Sequence, residues 1–166
     1  MSLIEANKNS GNNSNDHTMN VFYEGQVLWS QIDSNQHMRH SAYADFAAQA
    51  RLMMLENIGL KLSTLYKFKI GPVLFREELI YLREIGMNEY IRITCELSKS
   101  RPDGSRWSIR HELYRSDGVK ASVITADGAW IDMEKRKLAV LPHELSQLFM
   151  KAPKSNDYIE EHGNAL

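Results

Sequence analysis

The chain has 166 residues, of which 43% are hydrophobic and 25% are charged, and its net charge at pH 7 is −1. A chain of this length can bury a core without covalent staples, and near-neutrality argues against a nucleic-acid partner. Cys95 is the only cysteine, which excludes an internal disulfide framework and paired Cys/His zinc spacings. No apolar run approaches the roughly 20 residues that span a bilayer, and no secretory signal is visible. We therefore expect a cytoplasmic protein without a bound metal or a membrane partner.

Polar segments flank the part of the chain that carries hydrophobic patterning. Residues 1–19 are rich in Asn, Ser and Lys, and this composition predicts a disordered N-terminal tail. Residues 20–150 have the patterning of one folded domain. Residues 151–166 are again polar, and we expect them to form a loose C-terminal tail.

The first elements are a strand over residues 21–29 and a long helix that begins at Ser41 and ends at Gly59. Ser41 is the best N-cap candidate, and Gly59 is the natural C-terminal stop. The helical period predicts one broad buried face. The residues of this face are Tyr43, Phe46, Ala47, Ala50, Met53, Met54 and Ile58.

After a short connector, alternating hydrophobicity and turn residues predict four further strands and a short terminal helix that Pro142 opens. These strands are predicted at residues 73–84, 89–98, 107–115 and 119–133. Successive hairpins imply an antiparallel arrangement, so the order predicts an α+β domain with a five-stranded sheet around one long helix. His111 alternates with Ile109 and Leu113, which favours a core or interface histidine over a ligand.

The segment before the long helix carries the residues best suited to chemistry. Asp33, Asn35 and His37 occupy alternate positions, and an extended or turning segment places alternate residues on one side. The helix that follows directs its unpaired N–H groups and its positive end toward the same place. Such a site suits a carbonyl that becomes an oxyanion. The alternative for Asp33 and Asn35 is ordinary turn chemistry, in which their side chains bond neighbouring N–H groups.

The element order and this motif together resemble the hotdog fold of acyl thioesterases, over about Val27 to Leu145. The 4-hydroxybenzoyl-CoA and YbgC-like members of that superfamily carry an Asp, then a turn, then Tyr, and then a Phe followed further on by Ala-Arg. The residues in register with this pattern are Asp33, Tyr43, Phe46, Ala50 and Arg51.

The plant acyl-carrier-protein thioesterases resemble the motif more closely, with Asp-x-Asn-Gln-His followed by Tyr. The matching residues are Asp33, Asn35, Gln36, His37 and Tyr43. Glu84, which shortly precedes Gly86, resembles the Glu of those relatives. The chain departs from the family patterns at Gln31, Arg39, His40 and Ala48.

The resemblance implies a thioester hydrolase that acts on an acyl-CoA or an acyl carrier protein, with no cofactor beyond that carrier. It implies that Asp33 is the principal carboxylate, as nucleophile or as base, and that Asn35, His37 and Glu84 complete the catalytic set. Alternatives are a structural or capping role for His37 and a solvated strand end for Glu84. The N–H groups near His40 and Ser41, together with Tyr43, would bind the substrate.

Two other functions stay open. Hotdog hydratases of the MaoC type carry Asp-x-Asn-x-x-His, which is one residue longer than the spacing from Asn35 to His37. A non-catalytic acyl-thioester-binding protein would account for the departures from the family patterns. In every case the resemblance implies a homodimer or a homotetramer.

Overall fold

The computed structural model describes residues 20–163, and the predicted N-terminal tail (1–19) lies outside this range. The described residues form a mixed α+β domain whose strands make one largely antiparallel sheet. The elements are β1 (Val21–Gln26), a 3-10 turn (Trp29–Gln31), α1 (His40–Asn57), α2 (Leu62–Phe68), β2 (Ile70–Tyr81), β3 (Tyr90–Thr94), β4 (Glu96–Ser100), β5 (Arg106–Arg115), β6 (Lys120–Asp132), β7 (Lys137–Ala139), α3 (His143–Phe149) and β8 (Lys154–Glu160).

The long strands β5 and β6 form the centre of the sheet. β2 pairs with the other side of β6, and β1 lies beyond β3. β5 pairs with β3 near its end and with β4 near its beginning. The predicted strand 89–98 is therefore divided at Cys95, which lies between the end of β3 and the start of β4 and whose N–H donates to the carbonyl of Asn20 (3.0 Å).

The prediction of five strands is corrected to eight within residues 20–163. One extra strand comes from the break at Cys95, and β7 is a three-residue strand that pairs with β6. The third is β8, which replaces the expected loose tail after residue 151. It pairs in parallel with β4, and the Asp157 carboxylate accepts from the Arg110 guanidinium on β5 (3.0 Å from Nη1). β8 is ordered by its pairing with β4 and its contact with Arg110, which lie far away in the sequence.

The long helix α1 lies across one face of the sheet, as the periodicity predicted. Its C-terminal stop is confirmed: Gly59 has a φ of +88°, and N–H groups of residues 59 and 60 bond back to carbonyls of the last turn. The N-cap prediction is wrong, because α1 begins at His40 and Arg39 is the N-cap. Met53 was predicted on the buried face but is 43% exposed, whereas Leu55 is buried in its place.

An aromatic cluster fills the end of the domain that lies farthest along α1 from the motif. Trp107, Trp130 and Phe149 pack with ring centroids 5.3 to 6.3 Å apart. Gly128 permits this packing, because a Cβ at that position would lie 2.4 Å from the Trp107 ring. The cluster fixes α3 against the sheet and leaves the other end of α1 for the motif segment.

Candidate functional site

The motif segment folds as a tight hairpin directly before α1. The N–H of Asp33 donates to the carbonyl of His37 (2.9 Å), and the N–H of Gln36 donates to the carbonyl of Asp33 (3.1 Å). Gln36 has a φ of +66°, so the chain turns through the left-handed region at this residue. The hairpin returns the chain to the buried Met38, from which α1 begins two residues later.

Asp33 and Asn35 show the turn chemistry that was the alternative reading. The N–H of Asn35 donates to Oδ1 of Asp33 (2.8 Å), which holds the carboxylate in one orientation. Oδ2 of Asp33 makes no hydrogen bond to any residue between 20 and 163, so one carboxylate oxygen is left for another molecule. The turn thus orients the carboxylate through Oδ1 and leaves Oδ2 able to accept a hydrogen bond.

The loop after β2 is joined to this hairpin by backbone contacts. The N–H of Met38 donates to the carbonyl of Ile85 (2.7 Å), and His37 forms an isolated antiparallel bridge with Gly86. The N–H of Gly86 donates to Oε2 of Glu89 (3.0 Å). These contacts hold Glu84 beside the motif although 51 positions separate it from Asp33 in the sequence.

The hairpin, the start of α1 and the end of β2 border an open cavity of about 350 Å³. Five of the seven predicted site residues line it. The full lining is Asp33, His37, Met38, His40, Tyr43, Tyr81, Leu82, Arg83 and Glu84.

The other two predicted site residues do not line the cavity. Asn35 is exposed, and its backbone rather than its side chain contacts Asp33. Ser41 is also exposed, and its hydroxyl accepts from Nη1 of Arg39 (2.7 Å). Asn35 therefore lies in the turn beside the cavity, and Ser41 follows the lining residue His40 in the first turn of α1.

The first turn of α1 carries backbone donors beside the cavity, which His40 lines. No side chain caps the helix. The N–H groups of His40 and Ser41 bond to no acceptor in the described part of the chain, whereas Ala42 N–H donates to the carbonyl of Arg39 (3.0 Å). Free N–H groups at a helix start carry a partial positive charge and bind anions. The corrected start at His40 thus leaves these donors available to an oxyanion.

Two tyrosines support this helix start. The Tyr81 hydroxyl donates to the carbonyl of His40 (3.2 Å), and its ring meets the Tyr43 ring edge to face, with centroids 5.1 Å apart. Burial raises the pKa of Tyr43 to about 12, and the proximity of Tyr81, Glu84 and Asp33 acts in the same direction. Tyr43 therefore stays protonated at neutral pH and can donate a hydrogen bond.

The sequence analysis missed Tyr81 and Arg83, which line the cavity from the end of β2. Alternation gave no signal for them: both precede Glu84 by an odd number of residues, which in an extended segment places them on the side opposite Glu84. Arg83 is exposed, and its Nη1 donates to the carbonyl of Leu82 (2.6 Å). It adds a positive charge to a cavity that already holds two carboxylates.

Two kinds of feature are absent from residues 20–163. No helix in this range combines the length and the apolar character needed to cross a membrane. The same residues include no cluster of three or more His, Cys, Asp or Glu side chains arranged to hold a metal ion.

Comparisons with solved structures identify the fold. A hypothetical protein from Staphylococcus aureus, solved in complex with CoA, is 21% identical, with a TM-score of 0.74 over 92% of this chain and 99% of that one. A 1,4-dihydroxy-2-naphthoyl-CoA thioesterase from Synechocystis is 15% identical, with a TM-score of 0.67 over 79% and 93%. A DHNA-CoA thioesterase from S. aureus is 17% identical, with a TM-score of 0.72 over 78% and 87%.

The resemblance to hotdog-fold thioesterases is thereby confirmed at the level of the fold. A search of curated proteins found no match. A family model, described as the thioesterase-like superfamily, matches residues 27–149, which is most of the chain and includes both the hairpin and the β2 loop. The chain belongs to the thioesterase-like superfamily.

Proposed function

We propose that this protein hydrolyses an acyl thioester of coenzyme A or of an acyl carrier protein. The observation that carries the proposal is a single cavity that holds the Asp33 carboxylate, the Glu84 carboxylate and the start of α1. A thioester carbonyl needs both an attacking group and donors for the oxyanion that forms. Solved structures with this fold include a 1,4-dihydroxy-2-naphthoyl-CoA thioesterase and a DHNA-CoA thioesterase, which supports the same class of reaction here.

The proposed reaction uses the free oxygen of Asp33. As a general base, Asp33 takes a proton from a water whose oxygen forms a bond to the thioester carbon. The carbonyl oxygen becomes an oxyanion, and the N–H groups of His40 and Ser41 stabilise it. When the tetrahedral intermediate collapses, the C–S bond breaks and the thiolate takes up the proton. The products are a free acid and a free thiol.

Other residues of the cavity assist this step. Glu84 positions the attacking water or shares its proton, and His37 relays the proton that the leaving thiolate needs. The protonated Tyr43 donates a hydrogen bond to the substrate. Direct attack by Asp33 to form a mixed anhydride is the variant of this mechanism that the same geometry allows, and no cofactor enters either route.

We further propose that two copies pair along β2. One edge of β2 is hydrogen-bonded to β6, and no strand between residues 20 and 163 pairs with the other edge. Exposed open edges that carry large apolar side chains are sites of strand pairing. On β2 the exposed apolar residues are Leu74, Phe75, Ile80 and Tyr81. Because Tyr81 also lines the cavity, a partner at this edge would lie beside the site.

Thiol release from a panel of acyl-CoA thioesters tests the function. We expect the purified protein to release one thiol for each acid formed, with aryl and alkyl chains of different length included in the panel. Glu84→Gln should lower kcat by about tenfold or more, because a positioned proton acceptor is lost. The matched control is Glu78→Gln, which removes a carboxylate from β2 at an exposed position outside the cavity.

Two results would overturn the proposal. One is the absence of thiol release from every thioester. If the protein then bound acyl-CoA tightly, it would be a non-catalytic acyl-thioester-binding protein. The other is hydration of crotonyl-CoA without hydrolysis, which would assign a hydratase. For the paired assembly, light scattering should give the mass of a dimer or a tetramer, and a monomer at all concentrations would refute pairing along β2.

A further inference from the structure

A second cavity lies between the other half of α1 and the sheet. It has a volume of about 270 Å³, and its walls are almost entirely apolar. Leu55 of α1, Leu74 of β2 and the aromatic cluster of Trp107 and Trp130 supply most of the lining. Arg51 is the one charged residue among the lining residues. A lone guanidinium in an apolar cavity is costly unless it has polar partners.

Arg51 has two partners, Glu77 and His111, and together they occupy only part of the N–H donors of its guanidinium. Its Nη1 lies 3.5 Å from Oε1 of Glu77 and 3.4 Å from Nε2 of His111, while its side chain is 13% exposed. Burial lowers the pKa of His111 to about 3, so the imidazole is neutral. Nδ1 of His111 lies 3.1 Å from the carbonyl of Ile124 and must carry the hydrogen, which leaves Nε2 to accept from Arg51.

The remaining donors of Arg51 are free to bind a further acceptor. A guanidinium has five N–H groups, and both contacts of Arg51 are made by Nη1. Its other nitrogens make no hydrogen bond to a protein atom in the described range. Arg51 and Glu77 have opposite charges, so the pair has no net charge. A ligand atom that accepts from Arg51 and donates to Glu77 would satisfy both side chains.

Arg51 lies at a defined distance from the thioester site. Tyr43 contacts Tyr81 near the first cavity, and Arg51 contacts Glu77 near the second, so α1 and β2 run antiparallel between these contacts. From Tyr43 to Arg51 the helix rises about 12 Å over eight residues, and from Tyr81 to Glu77 the strand advances about 13 Å over four residues. The two distances agree, so Arg51 lies ~12 Å from the first cavity.

The side of α1 between the two cavities is lined by small residues. At 100° per residue, His40, Ala44, Ala48 and Arg51 fall on one stripe of the helix. Ala48 is exposed and also lines the second cavity. The two alanines offer no side chain beyond Cβ to obstruct a chain that runs from His40 to Arg51.

We propose that this stripe binds the acyl chain of the substrate and that Arg51 and Glu77 together recognise a hydroxyl group at its far end. The inference rests on the proposed hydrolase function and names its substrate class. A hydroxyl both accepts and donates, so it matches the pair, whereas a second carboxylate would leave a net negative charge beside an apolar cavity. An extended chain advances about 1.2 Å per bond, so ~12 Å corresponds to about ten bonds, as in a 10-hydroxydecanoyl group.

The test compares thioesters that differ only at the far end of the acyl chain. We expect kcat/KM for 10-hydroxydecanoyl-CoA to exceed that for decanoyl-CoA by about tenfold or more, as one hydrogen bond to a charged group allows. 6-Hydroxyhexanoyl-CoA and hexanoyl-CoA form the matched short pair. They should be hydrolysed at equal rates, because a short chain ends before it reaches Arg51.

A double variant provides the second arm. In Arg51→Met with Glu77→Leu, apolar side chains of similar size replace the charged pair, which avoids leaving one buried charge alone. The ratio of kcat/KM for 10-hydroxydecanoyl-CoA to kcat/KM for decanoyl-CoA should fall to about one or below, while decanoyl-CoA is still hydrolysed. A ratio in the double variant equal to that of the wild type would overturn the role of the pair.

The outcomes also separate this inference from the function on which it rests. Equal rates for 10-hydroxydecanoyl-CoA and decanoyl-CoA in the wild type would overturn the inference and leave the hydrolase function standing. A preference for decanedioyl-CoA would overturn the choice of a hydroxyl over a carboxylate. The absence of turnover for every thioester would refute the hydrolase function and the inference with it.

Discussion

His111 should make the fold sensitive to acid, and replacing it should remove part of that sensitivity. Its side chain is fully buried between Arg51 and the carbonyl of Ile124, and burial lowers its pKa from 6.5 to about 3. The nearby Arg51 charge acts in the same direction. Glutamine at this position can still donate to Ile124 but does not take up a proton in this range. The perturbation is therefore His111→Gln.

The sign follows from the lowered pKa. Between about pH 6.5 and pH 3 the unfolded chain binds a proton at this position that the folded chain does not bind. The stabilisation from the neutral imidazole is complete above pH 6.5 and is lost as the pH falls toward 3. At about pH 4.5 the unfolded state gains roughly 3 kcal/mol relative to the folded state, by the relation of 1.36 kcal/mol per pH unit.

The assay is the free energy of unfolding by urea, measured from neutral pH down to about pH 4.5. We expect the wild type to lose about 3 kcal/mol more than His111→Gln over this range. His143→Gln, at an exposed position in α3, is the matched control and should follow the wild type. Equal losses in the wild type and in His111→Gln would refute the reasoning, as would an NMR titration in which the His111 imidazole protonates near pH 6.5 in the folded protein.

Three further substitutions test the packing around the site and the sheet. Gly128→Ala should lower the free energy of unfolding by about 2 kcal/mol or more in a urea titration, because its Cβ would overlap the Trp107 ring. Tyr81→Phe should lower kcat/KM several-fold without changing the fold, because the bond to the first turn of α1 is lost. Asp157→Asn should speed hydrogen exchange across β8, because the ion pair with Arg110 anchors that strand.

A specific result would contradict each of these three expectations. Unfolding of Gly128→Ala at the wild-type urea concentration would show that the aromatic cluster can shift to accept a methyl group. Wild-type kinetics in Tyr81→Phe would show that the helix start is fixed without the hydroxyl. Unchanged exchange in β8 after Asp157→Asn would show that its backbone pairing with β4 suffices.

The parts of the fold that local pattern determines were predictable. The helical period of α1 and its end at Gly59 could be predicted from residues close in sequence. The strand β5 could be predicted from its alternation of apolar and polar residues. Two features depend on distant partners. The break at Cys95 appears because β3 and β4 pair with different stretches of β5, and β8 forms because a polar segment meets β4. No local pattern encodes either pairing.

The candidate site shows the same division. Asp33 and His37 were identified from their spacing before a helix, and the structure brings them into one cavity with Glu84. Asn35 was predicted on the same side as these residues, but the left-handed conformation of Gln36 turns the segment and breaks the alternation. Tyr81 was missed because its contact with the start of α1 depends on the antiparallel arrangement of α1 and β2.

The substitution Asp33→Asn tests the central claim most directly. The matched control is Asp103→Asn, because Asp103 accepts from the N–H of Ser105 (2.9 Å) in a turn of the same kind that lies outside the cavity. With an acyl-CoA that the wild type hydrolyses, we predict that Asp33→Asn lowers kcat by about 10² to 10⁴-fold, as loss of a general base does. Asp103→Asn should keep the wild-type kcat. Equal kcat values for Asp33→Asn and the wild type would contradict the account.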